Sequence, residues 1–168
     1  LAIAVCFPGP SLAIWGRVRS NPTQPPEPPL RSILAFLADI RRLAVPYFIG
    51  EDRWPGRVLL ADLPKDRLDA YFANLELEPL SEKTVTSKRE LRKIIDRARA
   101  NGWTLVDQEV EEGVRSLAVP IKSPSGRTEA ALTVCSHASR VSVDRIMGEF
   151  LPMVLDTSKR ITKTVGGA

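Results

Sequence analysis

The sequence predicts an α+β domain built on an antiparallel sheet, and three observations carry that reading. A capped amphipathic helix closes at Gly102, two β-rich runs meet at a turn around Pro124 and Gly126, and a long apolar stripe occupies the C-terminal stretch. The 168 residues suit one ordinary domain and are enough to bury a core of useful size.

The first 55 residues are the least regular. Most of the 14 prolines precede residue 61, including the run Pro25-Pro26-Glu27-Pro28-Pro29, and every lysine lies at or after Lys65. Proline removes backbone donors and fixes φ, so residues 20–30 are expected to form a loop or an extended polyproline stretch. Residues 30–44 can make a short helix with Leu30, Ile33, Leu34 and Leu37 on one side. Residues 1–55 are therefore set apart as a divergent Pro-rich, irregular segment. Two explanations stay open for it: disorder, or an out-of-frame translation, since arginine without lysine plus abundant proline is what GC-rich DNA yields in a wrong frame. Residues 56–168 form the domain proper. The chain begins with Leu rather than Met, which is expected of a fragment.

From residue 56 the local signals agree. Pro64 suits a first helical turn, and Lys65–Leu75 places Leu68, Tyr71, Phe72 and Leu75 on one stripe. Ser87-Lys88-Arg89-Glu90 is a capping box, in which the serine oxygen and the glutamate carboxylate can satisfy amides at a helix start. The helix repeats Leu91, Ile94, Ile95 and Ala98 and stops at Gly102, where a left-handed cap costs least. Trp103–Val110 reads as a strand with a polar end. Val114–Lys122 and Arg127–Ser136 are β-rich and joined by Ser123-Pro124-Ser125-Gly126, a turn composition. Ser142 can cap a final helix whose stripe runs through Val143, Ile146, Phe150, Val154 and Ile161, with a kink or break expected at Pro152.

Closing the turn with Lys122 opposite Arg127 sets a register. It pairs Val119 with Ala130, Leu117 with Leu132 and Ile121 with Thr128 on an apolar face that should pack against helices. The alternate face then pairs Val114 with Cys135, Ser116 with Thr133 and Ala118 with Ala131, all compact or hydroxyl-bearing. Such a face leaves volume in which hydroxyls can orient a polar ligand. Equally, it can pack under a helix, with Ser116 and Thr133 bonded to each other.

Composition excludes little but orders the alternatives. The 24 Lys and Arg are spread among 20 acids for a net charge of +4, so no helix carries the concentrated basic face of a nucleic-acid binder. The two cysteines, Cys6 and Cys135, form no CxxC pair, which points to buried thiols in a reducing, cytoplasmic setting rather than a disulfide or metal framework. No uncharged run reaches membrane-spanning length. An enzyme is disfavoured by the lack of a GxSxG elbow, P-loop, GxGxxG or HExxH, and His137, the one histidine, reads as a loop or cap residue. The acidic run Glu109-Val110-Glu111-Glu112 reads as a solvated strand end rather than a metal site. No cofactor is called for.

At the hairpin the chain resembles a known family. Gly102-Trp103-Thr104-Leu105-Val106-Asp107-Gln108-Glu109, followed by Glu112-Gly113-Val114-Arg115-Ser116-Leu117-Ala118-Val119-Pro120, is similar to the signature of IclR-type effector domains. Gly56-Arg57-Val58-Leu59-Leu60-Ala61, Lys83–Ser87, Gly126-Arg127, Ala130-Ala131-Leu132, His137–Arg140 and Phe150-Leu151-Pro152 extend the match over about residues 56–165. The last two stretches look most like the subgroup that regulates protocatechuate and β-ketoadipate catabolism.

The resemblance implies a GAF-like curved antiparallel sheet flanked by helices, with an effector held on one concave side. It implies the small-molecule-sensing part of a transcription regulator, a homodimer or tetramer that meets DNA only through an N-terminal winged helix-turn-helix not contained here. The effector implied is a small organic acid, aromatic acids included. The family's pocket positions fall on Val114, Ser116, Thr133 and Cys135, the face already separated by counting from the turn, with Asp107 as a further candidate. Arg115 alternates to the other face and reads as a structural or surface residue. A family loop of the type R-x-P-A-Y-x-T-x-x-G-R-V-L-L-A closes the pocket and ends here on Gly56. Its start, at Arg42, Pro46 and Tyr47, is spaced too far away, and Glu51-Asp52-Arg53-Trp54 replaces its hydroxyl residue. The alternative is a structural dimerisation module that has lost ligand sensing.

Overall fold

The computed structural model describes residues 2–6, 14–17 and 56–166. The polyproline stretch, the helix expected over residues 30–44 and the loop start at Arg42, Pro46 and Tyr47 lie outside the described residues. Five strands form one antiparallel sheet in the order β2-β1-β5-β4-β3: β1 Ala2–Cys6, β2 Ile14–Arg17, β3 Thr104–Asp107, β4 Val114–Lys122 and β5 Thr128–His137. Helices α1 Gly56–Leu60, α2 Lys65–Asn74 and α3 Lys88–Asn101 precede β3. The short α4 Val143–Arg145, a π-helical turn Ile146–Phe150 and α5 Leu151–Gly166 end the chain.

The N-terminal segment, expected to be irregular, supplies two of these strands. Ala2–Cys6 is an apolar run that pairs along β5, with Ala4 opposite Thr133 and Ala2 opposite Cys135. The prolines that dominate the segment fall after it, so they do not interrupt this ladder.

Helix ends follow local chemistry. Ser87 Oγ accepts from the Glu90 N–H at 3.4 Å, and Gly102 at φ 75° donates its N–H to the Ala98 carbonyl at 2.9 Å. The carboxylate half of the expected box is turned elsewhere: Glu90 faces Lys93 at 3.6 Å and Arg97 at 3.8 Å. Leu68, Phe72 and Leu75 pack with Leu91, Ile95 and Ala98, and with Leu60 and Ala61 of the α1 end, as a helical core. The Arg92 guanidinium lies 4.4 Å over the Phe72 ring and ion-pairs Asp69 at 2.7 Å.

The hairpin register differs from the expected one by two residues, and its faces survive. The turn closes one residue later, because the Ser123 N–H donates to the Arg127 carbonyl at 2.8 Å and Lys122 lies opposite Thr128. A bulge then leaves Glu129 unpaired, so Ile121 meets Ala130, Val119 meets Leu132, Leu117 meets Val134, Ala118 meets Thr133 and Ser116 meets Cys135. Each one-residue slip alone would exchange the two faces; together they cancel. Val114 consequently faces His137 rather than Cys135.

Leu117, Val119, Ile121, Ala130, Leu132 and Val134 form the second core with Ile146, Val154 and Ile161. The kink expected at Pro152 takes the form of the π turn just before it, where the Leu151 N–H reaches the Ile146 carbonyl. At about 100° per residue, the eight positions from Ile146 to Val154 would rotate the stripe by roughly 80° off the core. The wider π turn absorbs one residue, so both side chains face the sheet. Pro120, inside β4, forfeits little: its carbonyl accepts from Ser158 Oγ at 2.5 Å on α5, beyond the point where β3 ends.

Candidate functional site

The apolar core and α5 fill one face of β4 and β5, so α1, which packs against both strands, lies on the other. That other face carries Ser116, Ala118, Ala131, Thr133 and Cys135, with Thr104 and Val106 continuing it on β3. Ser116 and Thr133 are each 1% exposed. Four of the expected residues, Val114, Ser116, Thr133 and Cys135, therefore share this face, with Val114 half-buried at its end. Gly56, the fifth, starts α1 and is buried.

The hydroxyls are not bonded to one another. Ser116 Oγ lies 3.5 Å from Cys135 Sγ, its cross-strand neighbour. Thr133 sits opposite Ala118, and its Oγ1 is buried with no hydrogen-bond partner among the described residues. Leaving a buried hydroxyl unsatisfied costs about 1–3 kcal/mol, so native proteins rarely retain one without a use. Burial pushes the Cys135 thiol up from its ordinary value, and the bond with Ser116 offsets this only in part. The group stays a neutral thiol at physiological pH.

Asp107 is not brought to this face. It lies opposite Arg115, one step along β3 from Val106, and that single step turns it to the other side of the sheet. Arg115 Nε donates to its carboxylate at 2.6 Å, while Nη1 of Arg115 donates to the carbonyls of Val141 at 2.7 Å and Ala138 at 3.2 Å. Of the two roles its alternation left open, Arg115 thus takes the structural one, holding the β5–α4 loop. Burial raises the Asp107 pKa, but bonds from Arg115 and Gln108 and the charges of Arg115 and Lys83 outweigh it, leaving the carboxyl below its ordinary value. The unfolded group titrates near ~3.9, so this stabilisation is complete above that pH and is lost as pH falls through the lower folded value. Asp107→Asn is expected to reduce stability at neutral pH and to match the parent in acid. Urea midpoints from pH 7 down to pH 3 check this, and a constant gap across that range would refute it.

A second polar group was not legible in the sequence. Arg57 on α1 forks onto Glu109, with N–O distances of 2.9 and 2.5 Å and side chains 12% and 14% exposed. Glu109, expected to be a solvated strand end, is instead held by α1. Its carbonyl accepts from Thr84 Oγ1 at 2.5 Å, and the carbonyl of Gln108, at φ 62°, accepts from Ser81 Oγ at 2.7 Å. The pair borders a small cleft with Leu77, Leu80, Val85 and Leu91, of about 20 Å³, space for a water rather than an organic acid. His137 packs over Gly113, where φ is +79° and an added Cβ would meet its Nε2 at 2.9 Å; Nδ1 lies 2.8 Å from Ser139 Oγ.

Among the described residues there is no cluster of His, Cys, Asp and Glu suited to a metal, and no helix long and apolar enough to cross a membrane. Residues 55–163 match the family described as "Bacterial transcriptional regulator IclR C-terminal". The chain is 38% identical over 112 residues to the Pca regulon regulatory protein of Pseudomonas putida, covering 67% of this chain and 38% of that protein. It is 30% identical over 111 residues to the regulator KdgR of Escherichia coli, covering 66% of this chain and 42% of KdgR. The chain thus spans about two fifths of these relatives' length. Among solved structures, a transcriptional regulator from Rhodococcus sp. RHA1 superposes with TM-score 0.75 at 28% identity, over 99% of this chain and 62% of that one. A double mutant of the inducer-binding domain of PobR from Acinetobacter, in complex with 3-hydroxybenzoic acid, shares the fold with TM-score 0.71 at 21% identity, over 96% of this chain and 87% of that one.

Proposed function

This chain belongs to the IclR family of bacterial transcriptional regulators, through their C-terminal domain, and from that premise we propose that residues 56–168, with β1 and β2 completing their sheet, are an effector-sensing domain whose ligand is a small organic acid, aromatic acids included. The observation that carries the reading is the buried Thr133 hydroxyl, left without a partner on a face of small side chains. A ligand that offers it a hydrogen bond removes a standing penalty, which is a reason to bind there rather than elsewhere. Val114, Ser116, Thr133, Cys135 and Gly56 are the residues assigned to this site. The aromatic class draws support from the similarity to the Pca regulon protein and from the hydroxybenzoate held by the double-mutant PobR domain.

Sensing works by population shift. An effector that favours one arrangement of the domain biases a homodimer or tetramer, and with it the spacing of winged helix-turn-helix heads contributed by a preceding segment. DNA is met through those heads, the setting is the cytoplasm, and no reaction is catalysed. The alternative, a purely structural dimerisation module, would use the stripe on the last helix, but Ile146, Val154 and Ile161 are buried against the sheet.

Thermal unfolding of the folded protein against a panel of hydroxybenzoates, protocatechuate and short dicarboxylic acids tests this. A ligand at a hundredfold its Kd adds about 2.7 kcal/mol. A shift with at least one acid is expected; no shift across the panel would favour the structural module, and turnover of a panel member would favour an enzyme.

A further inference from the structure

The small-residue face is unlike at its centre and at its rim. The buried Thr133 hydroxyl lacks a partner, and around it on the face stand Ala118, Ser116, Ala131 and Cys135, none of them charged. A carboxylate placed there would be buried without a counter-charge, which costs more than one hydrogen bond returns. Further along β5 the alternation brings His137 to the same face, opposite Val114, and here the face is exposed. The imidazole lies over Gly113, where the lack of a Cβ leaves the space for it. Its Nδ1 accepts from the Ser139 N–H at 3.3 Å, and a ring nitrogen that accepts carries no proton, so the ring proton sits on Nε2. That N–H has no hydrogen-bond partner among the described residues. Thr133 and His137 lie about 13 Å apart along one strand, the span of a benzoate with a para hydroxyl and a hydrogen bond at either end. Between them stands Cys135 with Ser116 beside it, compact enough for a ring to lie across them.

We propose that His137 sets the orientation of the effector: its Nε2–H holds a carboxylate oxygen at the exposed rim, and a hydroxyl on the far side of the ring meets Thr133. The assignment rests on the effector reading of this face and narrows the ligand to benzoates with a hydroxyl opposite the carboxylate. An acid entering from the rim meets His137 first and carries its hydroxyl inward. The charge stays where water still solvates it, and only neutral atoms are buried. Arg57 on α1 does not compete for the carboxylate, since both of its terminal nitrogens are held by Glu109. Glu111 and Glu112 precede Gly113 but are exposed, so water and salt screen the ligand from them.

Calorimetric titration of the full chain with 4-hydroxybenzoate, benzoate and phenol reads the two ends separately. His137→Phe keeps a ring over Gly113 and loses the donor. It is expected to weaken 4-hydroxybenzoate and benzoate by about tenfold and to leave phenol unchanged. Thr133→Val weakens 4-hydroxybenzoate and phenol and leaves benzoate unchanged. His137→Gln, whose amide offers an N–H near the place of Nε2, recovers part of the lost affinity, which a ring kept only for packing would not allow. His137 is exposed, so both of its variants fold. Benzoate affinity that follows Thr133 instead of His137, or equal losses with all three probes, overturns the orientation and leaves a ligand on the face. Should 4-hydroxybenzoate alone bind, the glutamine variant decides, and no recovery overturns the role of His137. If the folded parent binds none of the three, the orientation falls together with the aromatic effector reading.

Discussion

Thr133→Val raises the stability of the ligand-free domain by about 1–2 kcal/mol and weakens effector binding by roughly tenfold. The two side chains have nearly the same shape, so the exchange removes an unsatisfied hydroxyl at a position 1% exposed without opening a hole. A residue kept for packing alone would gain from this change and lose nothing. One kept for ligand recognition gains stability and loses affinity, the usual conflict between the two demands. Urea unfolding without ligand, and titration with whichever acid shifts the melting temperature, read the two effects separately. A destabilised variant with unaltered binding would remove Thr133 from the site.

Leu117→Ala does the opposite. Leu117 is 1% exposed on the packed face, against Ile146, Val154 and Ile161. Truncation there loses transfer energy and leaves a cavity that a sheet covered by a helix cannot close, a cost of about 3 kcal/mol. For a chain of this size that is a fall of roughly 10 °C in melting temperature. The expected damage is to folding and not to recognition: ligand affinity of the folded fraction stays close to that of the parent. A variant that unfolds as readily as the parent would mean that the α5 contact is looser than its burial indicates.

These two responses come from residues on opposite faces of one sheet, and that separation was legible in the sequence because strand side chains alternate with a period of two. Register was not. It depended on where the Ser123–Arg127 turn closes and on the bulge at Glu129, neither of which leaves a periodic trace. The α3 helix was readable to within its caps because Ser87 and Gly102 act on their own neighbours. The pairing of Ala2–Cys6 with β5 escaped notice because that partner lies at the far end of the chain, where no nearby pattern marks it, and β2, which pairs only with β1, is a four-residue edge strand too short to show a period. Asp107 was misplaced by a single position, enough to turn it through the sheet onto Arg115. Arg57 and Glu109 were missed for the reason that hid β1: they are 52 positions apart, and each alone looks like an ordinary surface charge.

The alternation along β4 and β5 also divides the strands by the kind of change they tolerate. On the proposed function, substitutions at 116, 118, 131, 133 and 135 are expected to alter what is recognised, and substitutions at 117, 119, 132 and 134, on the packed face, whether the chain folds. Descendants of such a sheet can acquire new specificities at one set of codons while the interleaved set preserves the scaffold.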